Sequence, residues 1–430
     1  MTIAEAQTAP DGTVQLAVVQ VRKLKVPITL LVLAALLGLL FLLAPAHGNT
    51  VYRLAESGAA IKLGSISVPA QPAIWFSWII ATLLAVWSLV LAMRYRPTPI
   101  WLSIVYAVLA MFAFLTWSGA GSSAAVPVVG LLGGSLSLAV PLIFGALGGV
   151  IGERAGVVNV AIEGQFLLGA FTATILGSIT KNPFVGLIGA MIGGVLVASV
   201  LAVFAIKYIV EQVIVGVVLN VLVSGLTGFL YTAVLAPNAG ALNSPVPFKP
   251  VAIPLLSEIP VIGPVLFDQT FLVYLMYVTV GVVAWALYRT RWGLRLRAVG
   301  EHPQAADTVG IKVNPTRFWN LLLAGAIAGT GGAYFTLVSV PNFTKDMTAG
   351  LGFIALAAVI FGRWDPIRAT LAALLFGFAS NLQNLLNVLG TPIPSEFMLM
   401  LPYVVTILAV VGFAGQIRAP AADGKPYIKG

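Results

Sequence analysis

The chain has 430 residues, of which 59% are hydrophobic and only 9% are charged, whereas about 25% of the residues in a soluble globular domain are charged. Its formal net charge is +9, but the lysines and arginines stand at the ends of apolar runs and do not form the basic stripe of a nucleic-acid-binding surface. The absence of cysteine excludes a disulfide framework and a thiolate metal site, and two histidines in different polar segments disfavour a histidine-rich one. We therefore predict an all-α polytopic membrane protein with about 12 transmembrane helices of ~20 residues each.

The first part of the chain predicts a small membrane module. Residues 1–26 form a polar tail that ends in the basic residues Arg22, Lys23 and Lys25, which we place in the cytoplasm. Three apolar runs follow at 27–43, 74–93 and 100–117, with few polar residues inside them. We interpret residues 27–125 as an accessory module of three spans, with 46–73 as a polar outer loop.

Residues 126–415 differ from this module because glycine becomes frequent inside the apolar runs. Small residues let helix backbones approach closely in lipid, so this texture predicts a tight glycine-rich bundle. Its predicted spans are 128–150, 156–177, 185–207, 212–236, 270–289, 317–339, a short one at 349–362, 367–387 and 396–414. The proline-rich segment 237–268 is too interrupted to span the membrane, and we expect it to cover the outer face. Residues 416–430 are predicted to be a cytoplasmic tail.

The distribution of basic residues predicts the orientation of these spans. With the N-terminus in the cytoplasm, 18 of the 23 lysines and arginines fall on the cytoplasmic side. This asymmetry is the one that the positive-inside rule requires. It places both termini and the charged segment 289–313 in the cytoplasm.

Polar residues at membrane depth are costly and are therefore candidates for function. Glu153 and Arg154 are placed at the inner boundary, where they can pair. In a continuous helix Glu163 lies roughly 13 Å deeper than Glu153, and Asn159 shares its helical face. Two interpretations stay open: Asn159 and Glu163 line a permeation path, or they bond neighbouring helices and hold the bundle together.

A second polar group lies in the span 367–387. Asn384 is within one helical turn of Asn381 and Asn387, so the three amides form a stripe. Amides both donate and accept hydrogen bonds without charge, as an uncharged hydroxylated substrate or a nucleobase requires, although bonding between helices is the alternative role. We also assign Asn220 and Tyr334 to the substrate pathway.

The segment 289–313 predicts a short helix between two spans. Pro303 suits a first helical position, and Gly310 suits the left-handed residue that ends a helix. Ala305, Ala306 and Val309 are expected to form its apolar face. Such a short helix requires a packing partner, and a simple connecting loop is the alternative interpretation.

Motifs for nucleotide hydrolysis and for catalysis are missing from the sequence. There is no G-x-x-x-x-G-K-[ST] loop, no H-E-x-x-H and no G-x-S-x-G. We therefore assign no catalytic residue, no cofactor and no metal to this chain. Energy for transport would enter through a partner at the cytoplasmic face.

Two segments resemble the signatures of a known family. The stretches 152–171, GERAGVVNVAIEGQFLLGAF, and 293–313, GLRLRAVGEHPQAADTVGIKV, are similar to those of bacterial ABC importer permeases for nucleosides and simple sugars, in the ribose/branched-chain amino acid permease group. The family's usual aliphatic-Gly-Leu-Glu-Gly run reads VAIEG at 160–164, with Ala161 at the first glycine. The resemblance implies that the second stretch contains a coupling helix that docks on an ATPase, with the residues Glu301, Pro303, Ala305, Ala306, Asp307 and Gly310.

The resemblance also implies the function and the partners. It indicates a permease subunit in the bacterial cytoplasmic membrane that moves nucleosides inward by alternating access. A simple-sugar importer is the alternative, and an ion-coupled secondary transporter is a further one, for which Glu163 alone is thin support. The implied partners are a second related permease in a heterodimer, a tandem-domain ABC ATPase that binds ATP and Mg, and a substrate-binding lipoprotein. No nucleic-acid partner is expected.

Overall fold

The structure is a computed structural model that describes residues 2–8, 14–20, 23–55, 63–390, 400 and 418–429, with only the backbone for 2–8 and 14–20. The chain divides into two compact units. The first unit comprises Met1–Ser57, Lys62–Val128 and Gln383–Gly415, and the second comprises Gly58–Ile61, Val129–Leu382 and Gln416–Gly430. The predicted boundary between an accessory module and a core stays a prediction.

Three long helices form most of the first unit: α1 is Lys25–Leu43, α2 is Ala70–Met93 and α3 is Ile100–Ser118. Their most apolar stretches have mean hydropathies of 2.8, 2.1 and 2.1, which is why they form membrane-spanning helices. The buried residues of α2 recur every three or four positions, and most are small: Ala70, Ile74, Ser77, Ala81, Ala85, Ser88 and Ala92. Indole and phenol groups join the helices, since Trp78 donates to the Ala34 carbonyl (2.8 Å) and Tyr106 to that of Leu30 (2.8 Å).

Short strands lie between these helices. The strands are β1 (Thr2–Thr8), β2 (Val14–Gln20), β3 (Asn49–Arg53), β4 (Ile66–Pro69) and β5 (Val126–Pro127). β1 and β2 form an antiparallel hairpin, and β3 pairs antiparallel with β4 and parallel with β5. Within the loop predicted at 46–73, the pairing of β3 with β4 satisfies backbone groups that no helix satisfies.

The second unit contains most of the remaining helices. These are α4 (Val128–Arg154), α5 (Ile162–Thr180), α6 (Pro183–Ala202), α7 (Gln212–Leu230), α8 (Ala239–Leu242), α9 (Ile262–Phe267), α10 (Phe271–Arg289), α11 (Arg291–Glu301), α12 (Pro303–Thr308), α13 (Val313–Tyr334), α14 (Leu351–Phe361) and α15 (Pro366–Leu389). π-Helical turns extend α6 through Val203–Lys207, α7 through Tyr231–Leu235 and α13 through Phe335–Ser339. The proline-rich segment contains the short strand β6 (Pro250–Ala252), which pairs with β7 (Asp268–Thr270).

The predicted fold class is confirmed: the protein is a mostly helical, multi-pass membrane protein. In the described part of the chain, ten helices are long and apolar enough to cross a membrane, against about 12 predicted. The predicted short span is α14, an apolar helix of 11 residues. The predicted span 396–414 falls, except for residue 400, outside the described residues.

The tight packing predicted from glycine is found where α5, α6 and α13 meet. A Cβ added at Gly169 of α5 would lie 2.7 Å from the carbonyl oxygen of Gly329 in α13. A Cβ at Gly194 of α6 would lie 2.8 Å from the backbone of Gly329. Real Cβ atoms do not approach backbone this closely, so glycine is what permits the contact between these helices.

Candidate functional site

The short helix predicted after residue 300 is present as α12. The His302 ring nitrogen Nδ1 accepts a hydrogen bond from the Ala305 amide (3.2 Å), and Pro303 occupies the first turn. Gly310 has φ of +87°, the left-handed conformation expected of the residue that ends the helix. Both ends of α12 are therefore explained by local sequence.

The predicted apolar face of α12 is wrong. Ala306 is only 3% exposed and packs with Val299, Val313 and Tyr427, whereas Ala305 is exposed and Val309 is 75% exposed. Successive helix residues are about 100° apart, so Ala305 and Ala306 point in different directions. The buried side of α12 faces α11, α13 and the C-terminal segment 418–429, and its exposed side is available to a partner.

The other residues predicted for ATPase coupling are divided between these two sides. Pro303 is buried, and Gly310 is exposed. The Glu301 side chain is 53% exposed and lies 3.7 Å from Arg154. Asp307 is half-buried and accepts a hydrogen bond from the Tyr427 hydroxyl.

Glu153 and Arg154, at the end of α4, do not pair with each other as predicted. Glu153 is 3% exposed and accepts a hydrogen bond from the Trp364 indole. Arg154 donates to the Trp364 carbonyl (3.0 Å) and faces Glu301. Consecutive residues of a helix point about 100° apart, so each side chain meets a different neighbour.

Asn159 and Glu163 do not share a helical face. α4 ends at Arg154 and α5 begins at Ile162, and the α4–α5 loop (155–161) turns at Gly156, where φ is +88°. The depth expected for a continuous helix therefore does not apply to Glu163. Asn159 lies in the loop and exchanges two hydrogen bonds of 3.1 Å with Gln165.

Glu163 is 7% exposed and accepts three hydrogen bonds. Its donors are the Thr348 hydroxyl (2.6 Å), the Gly350 amide (2.8 Å) and the Gly352 amide (2.6 Å). The last two lie at the start of α14, where unpaired amides and the helix dipole favour a negative charge. Glu163 therefore ties the first turn of α5 to the N-terminus of α14.

Two side chains of α7 hold the α4–α5 loop. Asn220 accepts a hydrogen bond from the Gly164 amide (2.8 Å) and donates one to the Val160 carbonyl (2.9 Å). Gln212, which sequence reasoning missed, is 3% exposed and accepts from the Val158 amide (2.7 Å). The structure thus brings Asn159, Glu163 and Asn220 together around the start of α5.

The departure from the family pattern at Ala161 has a local explanation. Ala161 precedes α5 with φ of −79° and ψ of 10°, a conformation open to any L-residue. A glycine is therefore not required at this position.

The remaining predicted pathway residues lie apart from that group. Asn381 donates to the carbonyls of Leu131 (2.7 Å) and Gly130 (3.2 Å), and Tyr334 is buried and hydrogen-bonded to Ser137. Asn384 and Asn387 are exposed on α15. The predicted amide stripe is thus divided, with one member bonded to α4 and two at the surface.

Sequence reasoning also missed Arg317, which is 2% exposed in α13. Its guanidinium donates to the carbonyls of Lys425 (2.8 Å) and Ala422 (3.4 Å). The nearby Asp423 is partly buried, and burial raises the pKa of its carboxyl to about 7, against the opposing charge of Arg317. In sequence, Arg317 looks like an ordinary basic residue at a helix end, so no local signal marks its burial.

These observations define a polytopic membrane protein whose polar interactions converge at the loop before α5 and at a short helix exposed after α11. Residues 131–410 match the family described as branched-chain amino acid transport system / permease component. The chain belongs to this family, whose members are transport components and not enzymes.

Several curated proteins are similar to this chain. The guanosine ABC transporter permease protein NupQ of Bacillus subtilis is 40% identical over 305 residues, which are 69% of this chain and 95% of that protein. The nucleoside ABC transporter permease protein NupC of Lactococcus lactis is 42% identical, over 67% of this chain and 93% of that protein. The putative glucose ABC transporter permease protein TsgC13 of Haloferax volcanii is 35% identical, over 59% of this chain and 77% of that protein.

The same two bacteria each have a further matching permease, NupP in Bacillus subtilis and NupB in Lactococcus lactis. No solved structure matches the chain.

Proposed function

We propose that this protein is the transmembrane permease subunit of an ATP-driven ABC importer for nucleosides. The observation that carries the proposal is its identity of 40% and 42% to permeases of guanosine and nucleoside transporters, across nearly their whole lengths. The glucose permease at 35% identity makes a simple sugar the second candidate substrate.

Coupling to ATP would run through α12. Its exposed side presents Gln304, Ala305, Thr308 and Val309, and an exposed aliphatic side chain such as Val309 is suited to a groove on a partner. ATP and Mg would be bound by a tandem-domain ATPase, whose closure moves α12. The spans would then alternate between outward-open and inward-open states.

The structure supports different roles for the pathway residues. Asn159, Glu163 and Asn220 use their polar atoms within the protein, which favours bracing of the bundle over direct contact with substrate. The exposed amides of Asn384 and Asn387 are the stronger candidates for contact with a nucleobase edge. An ion-coupled mechanism is disfavoured because Glu163 already accepts three hydrogen bonds.

The remaining partners and the orientation are part of the same proposal. The paired permeases of the related bacteria support a heterodimer with a second, related permease. A substrate-binding lipoprotein would deliver the nucleoside. The distribution of lysine and arginine supports both termini, and α12, on the cytoplasmic side of the bacterial cytoplasmic membrane.

Uptake measurements test the substrate. In a strain that lacks the gene, restoring the protein should restore uptake of radiolabelled uridine or adenosine. Recovery of ribose uptake alone would move the substrate to the simple sugars. No recovery with any of the three would contradict the proposal.

A pull-down with the ATPase tests the role of α12. Val309→Asp places a charge on the exposed side of α12 and should reduce recovery of the ATPase roughly tenfold, as loss of an interface anchor does. Leu255→Asp is the matched control, because Leu255 is 80% exposed in the proline-rich segment. Equal recovery with both variants would contradict docking through α12. Ala306→Asp is unsuitable for this test because it buries a charge.

A further inference from the structure

We propose that the C-terminal segment 418–429 is a positioning element for coupling, which links α12 to the α4–α5 loop. The proposal rests on the proposed role of α12 as the coupling helix. It assigns to the tail a part in transport that neither its length nor its composition indicates.

The segment supports the buried side of α12. Tyr427 is 7% exposed, packs with Val299, Ala306 and Val313, and donates a hydrogen bond to Asp307. A six-residue helix cannot hold its own position in water, so its packing partners determine where it lies. Tyr427 is the partner that comes from the C-terminal segment.

A single residue of the segment ties α11 to α13. The Ala422 amide donates to the Gly300 carbonyl (2.9 Å), and the Ala422 carbonyl accepts from the Arg317 guanidinium (3.4 Å). Arg317 also bonds the Lys425 carbonyl (2.8 Å). A buried guanidinium is stable only when its donors are used, and backbone carbonyls of the segment use two of them.

The segment also contacts the α4–α5 loop. A Cβ added at Gly156 would lie 2.7 Å from Arg317 and 3.2 Å from the Ala422 carbonyl oxygen. A Cβ at Gly424 would lie 3.3 Å from Val158. The loop and the segment therefore approach each other closely, with glycine on both sides of the contact.

From the α4–α5 loop, direct hydrogen bonds continue into the bundle. Val158 is bonded to Gln212 and Val160 to Asn220, both in α7. Glu163, just after the loop, is bonded to the start of α14. A displacement of α12 that moves the segment would thus reach α7 and α14 through packed and bonded groups, which is the kind of contiguous network that can carry coupling.

One other link between the two regions involves α11. The ion pair of Arg154 with Glu301 has an N–O distance of 3.7 Å, and the Glu301 side chain is 53% exposed. A pair this open to solvent contributes little. The buried contacts of the C-terminal segment are the stronger connection.

The test compares Tyr427→Ala with Ile428→Ala, the adjacent residue, which is 70% exposed. The complete complex is reconstituted in proteoliposomes, and the uptake of radiolabelled uridine and adenosine per ATP hydrolysed is measured. Tyr427→Ala should lower this ratio roughly tenfold, within the usual range of coupling effects, and leave recovery of the ATPase unchanged. Tyr427→Phe, which loses only the hydrogen bond to Asp307, should lower it by about two- to threefold and serves if the alanine variant does not fold.

Hydrogen exchange of the α12 amides gives a second readout that needs no transport. Protection at residues 303–310 should fall in Tyr427→Ala and stay unchanged in Ile428→Ala. A working wild-type complex whose ratio and exchange are unaltered by Tyr427→Ala and Tyr427→Phe would overturn the role of the segment. A wild-type complex that transports no nucleoside would instead overturn the proposed function.

Discussion

The two units of the protein use buried polar side chains in opposite ways. Among the described residues of the first unit, the buried polar side chains outside the aromatic residues are all serine or threonine, and Ser77 and Thr116 bond carbonyls of their own helices. The second unit buries Glu153, Glu163 and Arg317, as well as several amides. A hydroxyl can be satisfied four residues away in its own helix, whereas a buried carboxylate or guanidinium needs partners from elsewhere.

Packing differs in the same direction. The spanning stretches of α1, α2 and α3 are 28%, 28% and 33% buried, against 72% for α5 and for α13. The comparison teaches that the second unit is held by specific bonds between distant segments, while the first relies on apolar contacts of small residues. We expect transport to be far more sensitive to substitutions in the second unit.

The largest effect is expected at Glu163. Glu163→Ala leaves the amides of Gly350 and Gly352 without their acceptor, so the free energy of unfolding should fall by about 3–5 kcal/mol, and uptake should be lost. Thermal unfolding in detergent measures the change. Glu211→Ala is the matched control: Glu211 caps α7 from an exposed position, and its loss should cost about 1 kcal/mol. Equal losses for both variants would contradict the special role of buried Glu163.

The next effect concerns glycine. Gly194→Ala must push the backbone of α13 away, and the free energy of unfolding should fall by about 3 kcal/mol. In the first unit, a Cβ at Gly38 would meet the side chain of Trp78, which can move more easily than a backbone, so Gly38→Ala should cost less. Gly225→Ala, with open space around it, is the control. Thermal midpoints that rank Gly38→Ala above Gly194→Ala in cost would reverse this comparison.

A smaller effect is expected from pH. Burial raises the pKa of Asp423 to about 7 from its usual 3.8, so the folded segment holds a proton that the unfolded one releases. Stability of the segment should therefore fall as the pH rises from about 4 to about 7, where the ionised carboxylate lies near buried Glu153 and only Arg317 opposes their repulsion. Protection factors of the α12 amides at pH 6 and pH 8 measure this change. Asp423→Asn should remove the dependence, and a dependence that persists would assign it to another group.

The smallest effect is expected in the first unit. Tyr106→Phe removes the hydrogen bond to the Leu30 carbonyl and should lower the free energy of unfolding by about 1 kcal/mol. The uptake of nucleoside per ATP should not change. A clear drop in that ratio would show that the first three helices take part in coupling, and the contrast between the units would no longer hold.

The sequence by itself predicted the membrane class, the positions of ten spanning helices and both ends of α12. These features depend on local properties. Hydropathy over about 20 residues decides whether a helix can span a bilayer, and Pro303 and Gly310 act on the backbone at their own positions. The glycine texture likewise predicted close packing, although it did not identify which helices meet.

Only the tertiary structure decided which polar groups meet. Asn159 was predicted to act with Glu163, but the turn at Gly156 takes it out of the helix and gives it Gln165 as a partner. The partners of Glu163 are about 190 residues away in sequence, and Arg317 binds carbonyls more than 100 residues further on. Backbone amides and carbonyls occur at almost every residue, so no side-chain pattern marks the ones that a buried charge will use. That choice is made when α13, the α4–α5 loop and the C-terminal segment come together in space.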